Sequence, residues 1–467
     1  MVKKTNQEEL SELRAQIRDL TLDIIAKAHK RMELSERIGI IKGNLNLDIQ
    51  DESVEQEIRK SVIEISYKLG IDPAFSGRLL NILLMESVRL QQIHQKRTEN
   101  VTLRNTHLSI FMKAKELENS GKRIIHMEVG EPDFSPPKQV QNALLKSYKM
   151  KQYHYTDSRG LIALRQAIAK KVGNGITDQE VIITSGGRFA IFSAVLALLK
   201  QGEEAIVIDP SWPAYREFVD LAGGKIKILH TTLNERWTPS LRKLEEMIGH
   251  QSKLLILNYP NNPTGRVLGE NEISKIISLA RDNALYVISD EVYSDYSFTR
   301  FTSLTCFEYD KSIVVSSFSK SCAMTGFRVG YGIAKKAIID KMARIQAIAL
   351  TSVAEPMQRA ALSAIDYDPA ENVKVIRERL DLILENLRRM PVEFIRPEGA
   401  MYVYPRLKGS IQTDTELVNR LLELGVAVAP GSGFGENYNH FIRISACQPK
   451  QLIDRGLKVI DSVLSMH

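Results

Sequence analysis

The hydrophobic pattern of this 467-residue chain changes near residue 100. Before that point, apolar residues recur at steps of three and four, the period of a helix that buries one face. After it, short runs that are apolar at every position alternate with helical segments, which indicates a buried parallel sheet covered by helices. The change predicts two cores of different class, an all-α domain over residues 1–98 and an α/β domain over residues 99–467.

The first hundred residues predict three helices. The first runs from about residue 6 to 43, the second ends at Gly70 and the third opens at Pro73. The first helix carries an apolar seam formed by Leu10, Leu13, Ile17, Leu20, Ile24, Ile38 and Ile41. Two shorter helices leave part of so long a seam uncovered, so we expect a second copy of the module to cover the rest.

Polar side chains interrupt these apolar faces in register. Arg31 falls on the seam of the first helix, and Lys42 returns to nearly the same direction eleven residues later. Ser87 and Gln91 continue the apolar stripe of the third helix in the same way. Since a buried cation needs a partner, this set indicates an anion site or a water-filled pocket, and the alternative for each long side chain is to reach solvent.

The polar set resembles the all-helical chorismate mutases over about residues 8–97. The resemblance implies that two arginines and a lysine bind the two carboxylates of chorismate, a lysine and a glutamine reach its ether oxygen, and a glutamate holds its hydroxyl. The matching residues are Arg14, Arg31, Lys42, Glu52, Ser87 and Gln91. The resemblance also implies a swapped dimer in which Arg14 comes from the other subunit. Cations that fix the reactive conformer suffice for this unimolecular rearrangement.

Residues suited to chemistry follow the apolar runs of the second domain. The runs are VIIT at 181, AIVID at 205, LLILN at 254, LYVIS at 285 and SIVVSS at 312. Ligands of such sheets bind beyond the carboxyl ends of the strands. Trp212 follows the second run, Asn262 the third, Asp290 and Tyr293 the fourth, and Lys320 the fifth. The glycine-rich GSGFGE at 431 has no helical pattern after it and predicts a loop.

In this order along the chain, these residues resemble the fold type I aminotransferases that depend on pyridoxal phosphate. The resemblance extends from about residue 103 to the end of the sequence and implies a large and a small subdomain. The resemblance implies that Lys320 holds the cofactor covalently and then moves a proton between substrate and cofactor. It implies that Asp290 keeps the pyridine nitrogen protonated. The other cofactor contacts that it implies are Asn262, Tyr293, Trp212, Ser317, Ser319, Arg328, Gly186, Gly187 and, from the partner subunit, Tyr155.

Three further positions concern the substrate. The resemblance implies that Arg443 forks onto the substrate carboxylate and that Gly130, in VGEPDF, lies close to the substrate. Arg188 stands where one aminotransferase subgroup has a lysine that binds the distal carboxylate of dicarboxylic substrates. A contact with the cofactor phosphate is the alternative for Arg188.

Charge and cysteine content argue against other classes of protein. The net charge is +7, yet residues 1–100 hold 8 Lys and 8 Arg against 16 Asp plus Glu, so the helical module is a poor nucleic-acid binder. No apolar run approaches 18 residues, and no leader is apparent, so we expect a cytoplasmic protein without a membrane partner. Three distant cysteines predict neither a disulfide framework nor a metal site.

The sequence therefore predicts a bifunctional enzyme of aromatic amino acid biosynthesis that forms a homodimer through both domains. It would convert chorismate to prephenate and transfer an amino group from glutamate or aspartate to a 2-keto acid: prephenate, an aromatic keto acid or oxaloacetate. Three alternatives stay open. These are an aminotransferase with a non-catalytic helical regulatory domain, a winged-helix regulator with an aminotransferase-like domain, and lyase or decarboxylase chemistry on the same cofactor.

Overall fold

The computed structural model describes residues 6–44, 52–101, 107–408 and 413–465. The chain divides into two compact units, Met1–Arg104 and Asn105–His467. The first unit contains the helices α1 (Asn6–Asn44), α2 (Glu52–Leu69) and α3 (Pro73–Val101). The prediction of three helices is confirmed. The boundary between residues 98 and 99 stays a prediction.

Backbone conformation and local hydrogen bonds end α2 and begin α3 at the positions that the sequence predicts. Gly70 adopts φ 65°, a left-handed conformation that glycine accepts without strain, and the N–H of Ile71 donates back to the carbonyl of Ser66 at 2.9 Å. The Asp72 carboxylate then accepts from the N–H of Ala74 at 3.0 Å, which caps α3 just before its first turn. The turn therefore reverses the chain within a few residues.

The apolar seam of α1 stays largely exposed within one copy of the chain. Its seven side chains keep exposed fractions from 46% at Ile38 to 64% at Ile17. Inside this unit, α1 packs chiefly along α3. Isolated apolar side chains are common on protein surfaces, but a continuous seam indicates an interaction face.

The second unit is built from short strands and helices. Its strands are β1 (Ile125–His126), β2 (Val181–Thr184), β3 (Glu204–Asp209), β4 (Lys225–His230), β5 (Ser252–Asn258), β6 (Tyr286–Asp290), β7 (Ser312–Ser317), β8 (Gly330–Ala334), β9 (Val392–Glu393), β10 (Tyr402–Val403), β11 (Arg406–Leu407), β12 (Val426–Ala427), β13 (Ala429–Pro430) and β14 (Ile442–Ser445). Its helices are α4 (His107–Asn119), α5 (Lys138–Lys149), α6 (Ile162–Val172), α7 (Gly186–Leu198), α8 (Ala214–Leu221), α9 (Leu241–Met247), α10 (Glu270–Asp282), α11 (Phe318–Ser321), α12 (Lys336–Leu350), α13 (Glu355–Ser363), α14 (Ala370–Leu387), α15 (Asp414–Glu423) and α16 (Lys450–Leu464).

A seven-stranded sheet in the order β2-β8-β7-β6-β5-β3-β4 forms the larger subdomain. Its central strands are buried on both faces, as the continuous apolar runs predict: in β5, Leu255 and Leu257 face one core while Leu254 and Ile256 face the other. A separate core, formed by α4, α14, α15, α16 and short strands, makes the smaller subdomain. The prediction of an α/β unit with two subdomains is confirmed.

The expectation of a parallel sheet is wrong at β8, which runs antiparallel between β2 and β7. The glycines of β8 interrupt its apolar residues, so the sequence shows no continuous apolar run there. A Cβ on Gly330 would lie 2.4 Å from the backbone nitrogen of Gly187, so the close approach of α7 requires glycine there. The edge strand β4 was also missed, because its exposed lysine and histidine break the apolar pattern.

Two smaller expectations are also settled. GSGFGE forms two single 3₁₀ turns, Gly431–Phe434 and Glu436–Tyr438, and so is a connecting segment as predicted. Among the helices of the described residues, none is long and apolar enough to cross a membrane.

Candidate active sites

In the helical unit, α1 and α3 bring Arg31 and Ser87 together. The Arg31 guanidinium donates to the carbonyl oxygen of Leu83 at 2.8 Å and to the Ser87 hydroxyl. Ser87 is buried, and the Ser35 hydroxyl donates to it at 3.0 Å. Burial lowers the pKa of Arg31, whose charge faces neutral oxygen atoms of α3. The polar interruptions on the two helices therefore meet, as their register indicates.

The other predicted residues of this unit are spread along the helices. Lys42 lies in the last turn of α1, about 16 Å along the axis from Arg31. Arg14 is exposed and lies about 25 Å from Arg31 in the opposite direction. Arg14 and Lys42 of one copy are thus too far apart to hold the same small molecule. The side chains of Glu52 and Gln91 lie outside those that the structure describes.

In the second unit, a cavity of about 310 Å³ lies at the carboxyl ends of the central strands. It brings together most of the positions that the sequence predicts. Those that line it are Gly130, Gly187, Arg188, Trp212, Asn262, Asp290, Tyr293, Ser317, Ser319, Lys320, Arg328 and Arg443. Tyr155 is 87% exposed and does not line this cavity, so its predicted role from the partner subunit stays a prediction.

Lys320 follows β7 directly, in the single helical turn α11. Its Nζ donates to the carbonyl oxygen of Gly130 at 2.5 Å and lies 5.8 Å from the ring centre of Tyr293. Tyr296 donates to the Lys320 carbonyl oxygen at 3.2 Å and so helps to hold its backbone. Burial lowers the pKa of Lys320. A lower pKa increases the share of neutral amine, the form that acts as a nucleophile or base.

Asp290, the last residue of β6, is a buried carboxylate at the base of the cavity. Burial raises its pKa to about 6, and a hydrogen bond from the Tyr215 hydroxyl at 2.6 Å opposes that rise. Asn258 donates to the Asp290 carbonyl oxygen at 3.1 Å and accepts from the N–H of Asn262 at 3.0 Å. Sequence reasoning missed Tyr215, although it lies one helical turn beyond Trp212, whose ring it contacts edge-on.

Hydroxyls, backbone amides and a guanidinium form an anion-binding cradle beside Lys320. The Ser317 hydroxyl donates to that of Ser319 at 2.8 Å, and α7 begins with Gly186 and Gly187. A Cβ on Gly186 would lie 2.4 Å from a terminal nitrogen of Arg328, so glycine leaves room for the guanidinium. The amino end of a helix and a cation together favour a phosphate.

Arg443, in β14, is a buried cation with unused hydrogen-bonding capacity. It is 1% exposed, donates to the Asn262 side-chain oxygen at 2.8 Å and donates to the carbonyl oxygen of Glu128. Its guanidinium lies 4.3 Å from the ring centre of Tyr402. Its Nε has no hydrogen-bond partner among the described residues. Since a buried guanidinium pairs best with a carboxylate, the cavity is suited to an acidic ligand.

The segment at 128–134 connects to several of these groups. The carbonyl oxygens of Glu128 and Gly130 accept from Arg443 and Lys320 respectively. Further along, the Asp133 carboxylate accepts two hydrogen bonds from Arg379, at 2.6 and 3.0 Å. A Cβ on Gly130 would lie 1.7 Å from the Tyr402 hydroxyl oxygen, so this position requires glycine. The segment therefore closes one side of the cavity.

Arg188 lies at the cavity rim, in the first turn of α7. Its side chain is exposed and stacks on Trp212, with the guanidinium carbon 4.5 Å from the ring centre. Cavity-lining residues that the sequence analysis missed include Tyr215, Tyr402, Asn258, Glu131 and Thr325. Asn258, Tyr215 and Glu131 adjoin predicted site residues in the sequence, whereas Tyr402 joins the site only through packing of a distant segment.

Comparisons with known proteins match both units of the chain. The model of the family "Aminotransferase class I and II" matches residues 122–460, and that of "Chorismate mutase type II" matches residues 13–92. An aspartate aminotransferase of Thermotoga maritima is 34% identical over 77% of this chain and 96% of its own, and its crystal structure superposes with a TM-score of 0.73. An aspartate/prephenate aminotransferase of Thermus thermophilus is 32% identical over 76% of this chain and 95% of its own. A Thermus thermophilus aspartate aminotransferase structure with maleate gives a TM-score of 0.74 at 31% identity, covering 77% of this chain and 96% of that one.

Proposed function

Because this chain belongs to the class I and II aminotransferase family and carries a type II chorismate mutase domain at its amino end, we propose that it is a bifunctional enzyme of aromatic amino acid biosynthesis. The first domain converts chorismate to prephenate. The second transfers an amino group from glutamate or aspartate to a 2-keto acid, with prephenate as one acceptor. One observation carries the aminotransferase half of the proposal: a single cavity is lined by the amine of Lys320, the buried carboxylate of Asp290 and the guanidinium of Arg443.

The fold and the relatives imply dependence on pyridoxal phosphate, and the cavity residues fit that cofactor. The cradle of Ser317, Ser319, Arg328 and the start of α7 suits its phosphate. Asp290 is ionised at neutral pH, since its pKa is about 6, and so can pair with a protonated ring nitrogen. When bound, pyridoxal phosphate supplies an electron sink that makes the α-proton of an amino acid acidic.

The residues of the chain itself provide binding and proton transfer. Lys320, with its lowered pKa, is the group that accepts and returns the substrate α-proton. Arg443, which lines the cavity, binds the substrate α-carboxylate through its guanidinium. Trp212 and Tyr293 confine the cavity on either side, and Arg188 at its rim binds a second carboxylate. Prephenate carries such a second carboxylate on its ring.

In the helical domain, Arg31 and Lys42 supply the cations that bind chorismate. Arg31 donates to the Ser87 hydroxyl of α3, and a carboxylate is a stronger partner for it than a neutral hydroxyl. Arg14 cannot reach the same ligand within one copy, because about 25 Å of helix separates it from Arg31. It therefore acts in the site of a partner subunit.

The exposed seam of α1 supports a swapped homodimer. Covering one Leu or Ile side chain is worth about 1.5–3 kcal/mol, and seven of them lie exposed along a single helix. A second copy of α1 offers a matching apolar seam.

We also place the protein in the cytoplasm, where its three free cysteines, among them the exposed Cys306, would stay reduced.

The test supplies purified protein with chorismate and follows prephenate formation, then adds glutamate or aspartate and follows amination of prephenate to arogenate. A parallel panel compares prephenate, phenylpyruvate, hydroxyphenylpyruvate and oxaloacetate as acceptors. Amination without chorismate consumption would favour a non-catalytic helical domain. Product formation that needs no keto acid acceptor would favour lyase or decarboxylase chemistry instead.

A further inference from the structure

A buried acid–base pair lies directly behind the segment that closes the cavity. The Glu128 side chain is fully buried, and one of its oxygens lies 2.7 Å from Nδ1 of His126. Its other oxygen has no hydrogen-bond partner among the described residues. On the outer side, Nε2 of His126 lies 3.2 Å from a carboxylate oxygen of Glu118 in α4, within ion-pair distance but without a hydrogen bond among the described residues, and the ring packs on Phe111.

The backbone connects this pair to both groups that would touch the substrate. The carbonyl oxygen of Glu128 accepts from Arg443, and that of Gly130, two residues on, accepts from Lys320 at 2.5 Å. Between His126 and Glu128, the N–H of Met127 donates to Ala427 and its carbonyl accepts from Ser445, which fixes that backbone on both sides. A displacement of Glu128 therefore moves a carbonyl that Arg443 depends on.

Electrostatics explains why the pair matters. A buried carboxylate is strongly destabilised unless a cation or hydrogen bonds compensate it. The hydrogen bond with Glu128 raises the pKa of His126, and the charge of Glu118 adds to this effect while burial opposes it. The other charged groups facing His126 are Lys115, which pairs with Glu118 at 2.7 Å, and Glu131 and Asp133 in the surface cavity beside it.

We propose that His126 is a positioning residue for amino transfer. As an imidazolium paired with Glu128, it holds the segment whose carbonyls orient Arg443 and Lys320, and it thereby sets the affinity of the cavity for the substrate carboxylate. The inference rests on the proposed function of that cavity and adds a group that touches neither substrate nor cofactor.

The expected pH dependence follows from the charge of His126. Below its raised pKa, His126 is protonated and compensates Glu128. As the pH rises through that pKa, the compensating charge is lost while the carboxylate stays buried. The affinity of the cavity for a carboxylate therefore falls as the pH rises above the pKa of His126. A variant without a titrating side chain at position 126 does not show this fall.

The test measures binding of maleate, a dicarboxylate without an amino group, to the cofactor-loaded full-length protein from about pH 6 to about pH 9. We expect His126→Gln to raise the Kd about tenfold at the acidic end, the size of effect that weakening one hydrogen bond to a charged group produces, and to match the wild type within about twofold at the alkaline end. At each pH, the Kd of His126→Gln is divided by the Kd of the wild type. This ratio cancels the effect of every group that titrates in the same way in both proteins. His250→Gln, at an exposed histidine, is the matched control and should leave the ratio at one at every pH.

A second variant tests the mechanism by rescue. In His126→Gln/Glu128→Gln, the uncompensated buried carboxylate is gone, so affinity at the acidic end should recover to within about threefold of the wild type. A double variant as weak as His126→Gln overturns the proposal. A Kd ratio that is constant with pH, or equal to one throughout, overturns it as well.

Two further outcomes are distinguishable. If His126→Gln fails to fold, Glu118→Gln replaces it: loss of the outer carboxylate should shift the alkaline step to lower pH, and an unchanged step contradicts the proposal. Failure of the wild-type protein to bind maleate at any pH overturns the assignment of the cavity itself, and this inference with it.

Discussion

Replacing Tyr215 with phenylalanine tests how the fold sets the charge of Asp290. The Tyr215 hydroxyl donates to Oδ2 of Asp290 at 2.6 Å in a fully buried environment. Phenylalanine keeps the ring and its contact with Trp212 but removes the donor. The carboxylate then keeps a weaker hydrogen bond from the N–H of Val292 at 3.3 Å.

The size and sign of the effect follow from the pKa. A hydrogen bond to a charged group is worth about 1.5–3 kcal/mol, which corresponds to roughly one to two pH units. Since this bond favours the ionised form, its loss raises the pKa of Asp290 from about 6 to between about 7 and 8. Burial already raises this pKa from 3.8. The ionised carboxylate therefore destabilises the cofactor-free protein by on the order of 3 kcal/mol above about pH 6.

The assay titrates pyridoxal phosphate into cofactor-free protein and measures the Kd as a function of pH. Binding needs the ionised carboxylate, so affinity falls as the pH drops through the pKa of Asp290. The acidic midpoint should move from about pH 6 in the wild type to between about pH 7 and 8 in Tyr215→Phe. Tyr309→Phe is the control, because it removes a partly buried hydroxyl that donates to the Ala280 carbonyl at 3.1 Å, outside the cavity. The same midpoint in Tyr215→Phe and the wild type would refute the reasoning.

Four further predictions concern the two sites separately. Lys320→Ala should lose the borohydride-sensitive absorbance of the bound cofactor and all transamination, yet keep mutase activity; transamination at the wild-type rate would contradict its role. Arg31→Ala should abolish chorismate conversion and spare transamination, whereas Arg18→Ala, an exposed control on the same helix, should change neither; equal mutase rates would leave the helical domain without a catalytic role. Arg188→Ala should lower kcat/KM for dicarboxylic substrates by about 1–3 kcal/mol more than for phenylpyruvate, and equal losses would indicate a phosphate contact instead. Ile17→Glu, in the exposed seam, should dissociate the helical dimer in sedimentation experiments and reduce mutase activity; an unchanged dimer would mean that the seam is not the interface.

Local sequence patterns were sufficient wherever one segment decides the outcome. The limits of α1 and α2 and the start of α3 follow from periodicity, Gly70 and Pro73, and the five apolar runs mark five buried strands. The end of α3 did not follow, because the helix continues through the polar residues 94–100, where the sequence predicts a break, to Val101. Residues after parallel strands meet at one edge of a sheet, which is why Lys320, Asp290 and Asn262 line one cavity. The strand β8 was not predicted, because its glycines interrupt the apolar run that marks a strand, and its antiparallel direction was therefore not predicted either.

Contacts between distant segments were decided by tertiary structure. Tyr215 and Asp290 are 75 residues apart, and Arg443 donates to the carbonyl oxygen of Glu128, 315 residues away. A sequence pattern carries the period and the residue type of a segment, but it carries no information on which remote segment packs against it. Burial, and with it the pKa of Asp290, Lys320 and His126, depends on that packing. The sequence by itself therefore determined the elements and the residue types available for chemistry. Only the tertiary structure decided their partners and charge states, because desolvation and hydrogen bonding act between groups that folding brings together.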